Sequence, residues 1–229
     1  MEIKMEIKKV KWRIGCVIYD CDGVLFDSLE ANGRLYNDLC ALVGRGPLEE
    51  GEIKYVHTHT VYEAIHFIFG REDGLETKAL EVLKQVDLRK YVAYLKMEPY
   101  LLQTLNLLKT NRILKAINTN RTTSMKHIMD RFGLWPFFDM VVTALDVKNP
   151  KPHPESVEKI IGTLHLNRDE TVFVGDSEVD QQTAKSSGIK FIAYKNREIE
   201  NDALIDDHLD LLNLISDYYT STVPGFLDH

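Results

Sequence analysis

The sequence predicts an α/β fold, a mainly parallel sheet flanked by helices, with a helical segment inserted after the first strand. Three observations predict it. Short apolar runs recur, most of them ending at small polar or acidic residues; segments of helical periodicity separate them; and between Ser28 and Met97 the helical spacing is unbroken by a convincing strand pattern.

The first strand is the apolar run at residues 14–19, which stops abruptly at Asp20, Cys21, Asp22 and Gly23. Within the insertion, Val61, Ile65 and Ile68 make one apolar stripe and Leu88, Tyr91, Val92 and Leu95 another. Pro99 suits the first turn of the next helix, where the chain returns to the sheet. A second strand at residues 113–117 runs into Asn118, Thr119 and Asn120. Met125, Ile128, Met129 and Phe132 then hold the i, i+3, i+4, i+7 spacing, with Gly133 at the position of a C-terminal cap. A third strand is expected at 140–143, and a helix carries Val157, Ile160, Ile161 and Leu164. A fourth strand, 171–174, precedes Gly175, Asp176 and Ser177, and helices follow at about 179–188 and 209–218. The first nine residues, with a repeated Met-Glu-Ile-Lys, read as a strand extension or a frayed terminus. The expected organisation is a Rossmann-like core of residues 1–27 and 98–229 with a helical insertion at 28–97. In such sheets, ligands collect at the carboxyl ends of the strands.

Composition narrows the function. The 229 residues are 44% hydrophobic, enough for one substantial core with a smaller satellite, and the formal net charge of −7 argues against a nucleic-acid surface. No apolar run reaches the length of a membrane span or a signal core. Cys16, Cys21 and Cys40 are odd in number and form no CxxC pair, so neither a disulfide framework nor a zinc site is expected, and a reducing, cytoplasmic compartment is. A small molecule is the expected partner.

Four stretches could carry chemistry. Asp20 and Asp22 leave the first strand one residue apart, so that one carboxylate can face a phosphoryl group with the other beside it, and Gly23 lets backbone N–H groups approach an anion. A plain strand-end turn would also use Asp and Gly. Asp176 stands at another strand end, placed for a hard cation, and Asp180 one turn further on could hold a water or orient Lys151; an N-capping aspartate is the plainer alternative for one of them. Lys151 lies in Lys-Pro-His-Pro, where two prolines restrain a loop that could hold the ammonium over an anion; Lys148 competes without rigid flanks, and a solvated lysine is the commoner outcome. Thr119 offers a hydroxyl and, with Asn120, backbone donors for phosphate oxygens, although a turn or helix cap explains Thr119 equally. Their shared placement, after strands or in a rigid loop on one side of the sheet, favours a site over four unrelated turns.

In this order, Asp20-Cys21-Asp22-Gly23-Val24, Thr119, Lys151-Pro152 and Gly175-Asp176-Ser177-Glu178-Val179-Asp180 closely resemble the four signature motifs of the haloacid dehalogenase-like superfamily, over almost the whole chain. Asp22 to Ser28 followed by a helical insertion is similar to the branch containing phosphoglycolate phosphatase and β-phosphoglucomutase, where the insertion is a cap. The resemblance implies a phosphatase with Asp20 as nucleophile, Asp22 as general acid and base, and Thr119 and Lys151 binding phosphate. It implies Mg²⁺ held by Asp20, the backbone carbonyl of Asp22 and Asp176, with Asp180 in support. Cys21 departs from the branch, which usually has phenylalanine there, and is expected to alter packing only. An acid at Asp22 separates the chain from dehalogenases, whose departing halide needs no proton.

Substrate choice is expected in the cap, where His57 and His59 occupy the position of the substrate-facing loop, although a solvated helix start is the commoner role; Arg45, between two glycines, is a weaker candidate. The resemblance thus implies a small phosphorylated substrate such as phosphoglycolate, a sugar phosphate or a nucleotide, with neither nucleic acid nor membrane as partner, and a monomer or homodimer. A phosphomutase using the same core, or a catalytically retired phosphate-binding regulator, are the alternative readings.

Overall fold

The computed structural model describes residues 11–71 and 74–216, apart from the side chains of His57 and Thr58; the stretch at residues 1–9 lies outside the described residues. In chain order the elements are β1 (Cys16–Tyr19), β2 (Phe26–Asp27), α1 (Leu29–Val43), α2 (Glu50–Thr58), α3 (Val61–Phe69), α4 (Leu75–Leu83), α5 (Arg89–Val92) and β3 (Lys96–Met97). They continue with α6 (Leu101–Thr110), β4 (Leu114–Asn118), α7 (Ser124–Phe132), β5 (Met140–Val142), α8 (Glu155–Leu164), β6 (Thr171–Gly175), α9 (Glu178–Ser186), β7 (Lys190–Tyr194) and β8 (Ala203–Ile205). Among the described residues no helix is long and apolar enough to cross a membrane.

Six strands form one parallel sheet in the order β5-β4-β1-β6-β7-β8. The chain builds outward from β1 to β4 and β5, then crosses back to β6, β7 and β8 on the other side. β1 therefore lies at the switch point, where the crossovers diverge and leave a crevice at the strand ends. Register places Tyr19 level with Ile117 on one side and Val174 on the other, so Asp20, Thr119 and Asp176 emerge from three adjacent strands at nearly one height.

Both faces of the sheet are covered, which explains the continuous apolar runs. Val17 and Tyr19 of β1, with Val172 and Val174 of β6, face a layer containing α6 and α7, where Leu105, Leu108, Ile128 and Met129 are buried. The alternate residues, Cys16, Ile18 and Phe173, face α8 and α9 through Val157, Ile160 and Ala184. Gly133 ends α7 at φ 63°, as the glycine cap predicts. The insertion carries its own apolar cluster, including Tyr36, Leu39, Ile65, Ile68 and Phe69.

Several expectations are corrected. The expected helix at 209–218 is a 3₁₀ helix, His208–Leu214, after which Ile215 bridges to Trp12; residues from 217 onward lie outside the described set. Pro99 precedes α6 rather than entering its first turn, because Tyr100 caps that helix. The insertion does include strand: β3 pairs antiparallel with β2 and fastens the chain's return to its departure. The stripe from Leu88 to Leu95 forms only the short α5, with Val92 and Leu95 packed into the core and the Tyr91 hydroxyl donating to Asp38 at 2.7 Å. β7 and β8 extend the sheet beyond the four expected strands.

Phe173 is wholly buried in β6. Phe173→Ala should destabilise the protein by about 3–5 kcal/mol through lost burial and a residual cavity, measured as a fall in the urea midpoint at unchanged slope; a change under 1 kcal/mol would show that this layer is not close-packed.

Candidate active site

β1 delivers Asp20 into the crevice, its N–H bonded to the carbonyl of Val174 at 3.0 Å and only 7% of the residue exposed. Cys21 turns the other way and is buried in the apolar cluster, the packing role its position predicts. Gly23 follows at φ 71°, where a side chain would be strained, and a Cβ there would collide with the Asp176 carboxylate. The glycine therefore lets two strand ends close on one another.

Lys151 is the electrostatic centre. Its buried Nζ lies 2.8 Å from Asp20 Oδ1 and 2.6 Å from Asp180 Oδ1. The loop that carries it is fastened by Asn120, whose side-chain amide donates to the Lys151 carbonyl and accepts from the Lys151 N–H, both at 3.1 Å. Asn120 thus ties the end of β4 to the lysine loop. Lys148, the competing lysine, is exposed, and its backbone N–H donates to Glu155.

At the end of β6, Ser177 caps α9 and Asp180 completes the capping box. Asp180 Oδ2 accepts from the Ser177 hydroxyl at 2.6 Å, leaving Oδ1 for the lysine. A Cβ on Gly175 would collide with Asp180, so a glycine in β6 makes that approach possible. Asp180 thus has both the capping role and the contact with Lys151. Glu178 is exposed.

Oxygens of Asp20, Asp176 and Asp180 lie within 4.8 Å of one another, and one ammonium offsets three carboxylates. Burial and the charge of Asp180 push the Asp20 carboxyl above its ordinary range, with Lys151 opposing; burial, Asp180 and Asp20 do the same to Asp176. Burial pulls the Lys151 ammonium below its ordinary pKa, but the charges of Asp180 and Asp20 more than reverse this and hold it above that value. An all-oxygen set with unneutralised negative charge fits a hard divalent cation.

The Asp22 side chain stands apart from this cluster and meets Arg121, a residue that the sequence reading passed over. Arg121 Nε donates to Asp22 Oδ2 at 2.7 Å and Nη2 to Oδ1 at 2.5 Å, a bidentate pair with both side chains largely buried. Asn32 Nδ2 also reaches Asp22 Oδ1, at 3.3 Å. Thr119 is buried, with its N–H on the Val142 carbonyl and its hydroxyl oxygen accepting from the Arg121 N–H at 3.1 Å. A basic residue directly after Thr119 and Asn120 was the available signal, but a lysine or arginine in a turn is ordinarily solvated.

A cavity between core and insertion is lined by Asp20, Asp22, Thr119, Arg121 and Lys151 from below and by Leu35, Tyr36, Val56, His59 and Leu88 from above. A second opening reaches Asp176 from the other side, past Tyr55 and His59. His59 faces both, its ring stacked on Tyr55 with centroids 3.7 Å apart. The stretch from His57 to Thr60 is the joint between α2 and α3 rather than a helix start, and the His57 side chain lies outside the described set. Arg45 does not join the site: it pairs with Glu52 within the insertion at 2.5 Å.

The family model described as haloacid dehalogenase-like hydrolase matches residues 17–194. The pyrophosphatase PpaX of Halalkalibacterium halodurans is 34% identical over 52% of this chain and 60% of its own length, so the chain spans well under the whole of that relative. A phosphoglycolate phosphatase of Rhodobacter capsulatus is 26% identical over 82% of this chain and 88% of its own. Among solved structures, a haloacid dehalogenase superfamily hydrolase of subfamily IA from Geobacter sulfurreducens is 34% identical, covers 90% of this chain and 99% of its own, and superposes with a TM-score of 0.74. With that match running from the first strand of the sheet through β7, the chain belongs to the haloacid dehalogenase-like hydrolases.

Proposed function

We propose that this hydrolase is a Mg²⁺-dependent phosphatase that cleaves a small phosphate monoester through a phosphoryl-aspartate on Asp20. The observation that carries the reading is the grouping of Asp20, Asp176 and Asp180, the first and last of them paired with Lys151, with a further acid, Asp22, lining the cavity under the insertion. Relatives named as phosphatases support the same chemistry.

In the first half-reaction an Asp20 oxygen attacks phosphorus, the bond to the ester oxygen breaks, and Asp22 gives that oxygen a proton. In the second, Asp22 takes a proton from water, the water oxygen attacks phosphorus, and the bond to Asp20 breaks, releasing phosphate and restoring both acids. Lys151 and the Thr119 hydroxyl bind the phosphoryl oxygens, Asp180 and Asn120 hold Lys151 in position, and the insertion excludes water. Asp20, Asp176 and the Asp22 carbonyl would hold Mg²⁺, which when bound neutralises charge on the transferring group.

Asp20→Asn should abolish Mg²⁺-dependent phosphate release from an aryl phosphate, and chelation by EDTA should do the same to the wild type; activity surviving either treatment defeats the reading. Asp22→Ala should slow turnover of an alkyl ester about a hundredfold or more, in line with a lost proton donor. An activated aryl ester, whose leaving group needs no proton, should be spared in the burst phase; equal slowing of both esters there would remove Asp22 from the donor role.

The cluster also has a stability signature. A buried carboxyl whose folded pKa exceeds its unfolded value contributes stability at low pH that is lost as pH rises through the folded value. With metal removed, wild-type stability should therefore fall as pH rises from about 4, the ordinary carboxylate value, toward neutrality. At pH 7.5 in chelator Asp20→Asn should melt above the wild type, and Mg²⁺ should raise the melting temperature of the wild type more than that of the variant. A variant that melts lower in chelator would contradict the excess of buried negative charge.

A further inference from the structure

The turn that carries Asp22 is gripped by a part of the chain far from the four motifs. After Asp22 the backbone folds back on itself: the Gly23 N–H donates to the Phe26 carbonyl at 2.8 Å, and the N–H groups of Leu25 and Phe26 both donate to the Cys21 carbonyl, at 3.0 and 3.1 Å. Residues 21–26 thus move as one unit, and a shift of Val24 carries Asp22 with it. Val24 is wholly buried, and its carbonyl accepts from Nε2–H of His208 at 2.8 Å, across 184 positions of sequence. The next carbonyl, that of Leu25, accepts from the Glu98 N–H at 3.0 Å, and the Glu98 carboxylate is held in turn by the Tyr194 hydroxyl at 2.8 Å and by the Lys195 ammonium.

Packing alone does not explain an imidazole here. His208 is wholly buried, its ring lies against Tyr194 and Tyr19 with centroids 4.8 and 5.9 Å away, and its Nδ1 has no hydrogen-bond partner among the described residues. A leucine would fill the space without an orphaned nitrogen, so the contact that only the histidine supplies is the one to Val24. A carbonyl can only accept, so Nε2 carries the hydrogen. Burial pushes the ring's pKa down to about 4 against the Val24 carbonyl and Glu98, which leaves it neutral near pH 7. Resting on the phosphatase reading, we propose that His208 is a positioning residue for the acid at Asp22, pinning the turn from behind while Arg121 and Asn32 orient the carboxylate. His208 lines neither the cavity under the insertion nor the second opening, so it acts only through the turn. Without its donor the buried carbonyl must rotate toward another partner, and Asp22 moves with the loop; a displacement of about 1 Å at a reacting group is enough to cost about a hundredfold in rate.

The test compares the wild type with His208→Leu, which keeps the bulk and removes the donor, and with His208→Gln, which restores an N–H at similar reach. Each is given an alkyl phosphate, whose leaving oxygen needs a proton, and an activated aryl phosphate, whose leaving oxygen does not, with Mg²⁺ present, and the first chemical step is read from pre-steady-state phosphate transfer. In His208→Leu that step should slow by about tenfold or more with the alkyl ester and by less than about threefold with the aryl ester, the signature of a misplaced proton donor. His208→Gln should recover the alkyl rate to within about threefold of the wild type, because the carbonyl again has a partner. His208→Met takes the place of the leucine variant if that protein is insoluble. Equal slowing of the two esters marks general damage to the fold, and unchanged rates mark a packing role; either overturns the assignment, as does a glutamine variant as slow as the leucine one. The two failures are separable. If Asp22→Ala distinguishes the esters and His208→Leu does not, the phosphatase stands and His208 loses the positioning role, whereas a wild type inert toward both esters, or an Asp22→Ala that treats them alike, removes both.

Discussion

The site depends on a buried imbalance of charge. Three carboxylates, Asp20, Asp176 and Asp180, lie close together, two of them, Asp20 and Asp180, against the ammonium of Lys151, in a place where water cannot easily screen them. Isolated buried charges of this kind are costly, and they persist here because the scaffold satisfies them piece by piece. Ser177 and the first turn of α9 hold one oxygen of Asp180, Asn120 holds the lysine loop, and two glycines allow the carboxylates to approach closely. What these contacts leave over is net negative charge at a point facing the cavity, and a divalent cation is the natural complement to it.

Much of this was legible in the sequence because parallel sheets turn linear information into position. An apolar run that ends at an acid places that acid at a strand's carboxyl end, and Asp20 and Asp176 both occupy such places. The linear pattern lacks strand order. That β1 lies between β4 and β6 follows from how helices pack on both faces, and it is this order that brings residues 20, 119 and 176 side by side. Asp180 shows another limit. An aspartate at the third position of a helix can be a cap or a ligand to a lysine, and here its two oxygens do both.

The features that escaped the sequence reading share one physical cause: their partners are distant or their elements very short. Arg121 has the pattern of a solvated turn residue until Asp22, 99 positions earlier, lies against it. Arg45 looked available between two glycines, but Glu52 at the start of α2 captures it. β2 and β3 are two residues each and β8 is three, lengths at which alternation carries no information, and β2 and β3 exist only because Phe26 and Met97 meet across the largely helical insertion that separates them. The end of the described chain settles into a 3₁₀ helix instead of the expected α-helix, with Asp207 capping it and Ile215 drawn onto Trp12.

The small ladder between β2 and β3 gives the molecule a convenient seam. The insertion leaves the sheet at Asp27 and comes back at Lys96, and these two residues are paired to each other. A foreign segment grafted at that seam needs only one pair of adjoining splice points, and it would arrive above a floor already equipped with Asp20, Asp22, Arg121 and Lys151. Such chimaeras would change the walls and roof of the chamber while retaining its charged base, which makes the fold a ready host for recombined selectivities.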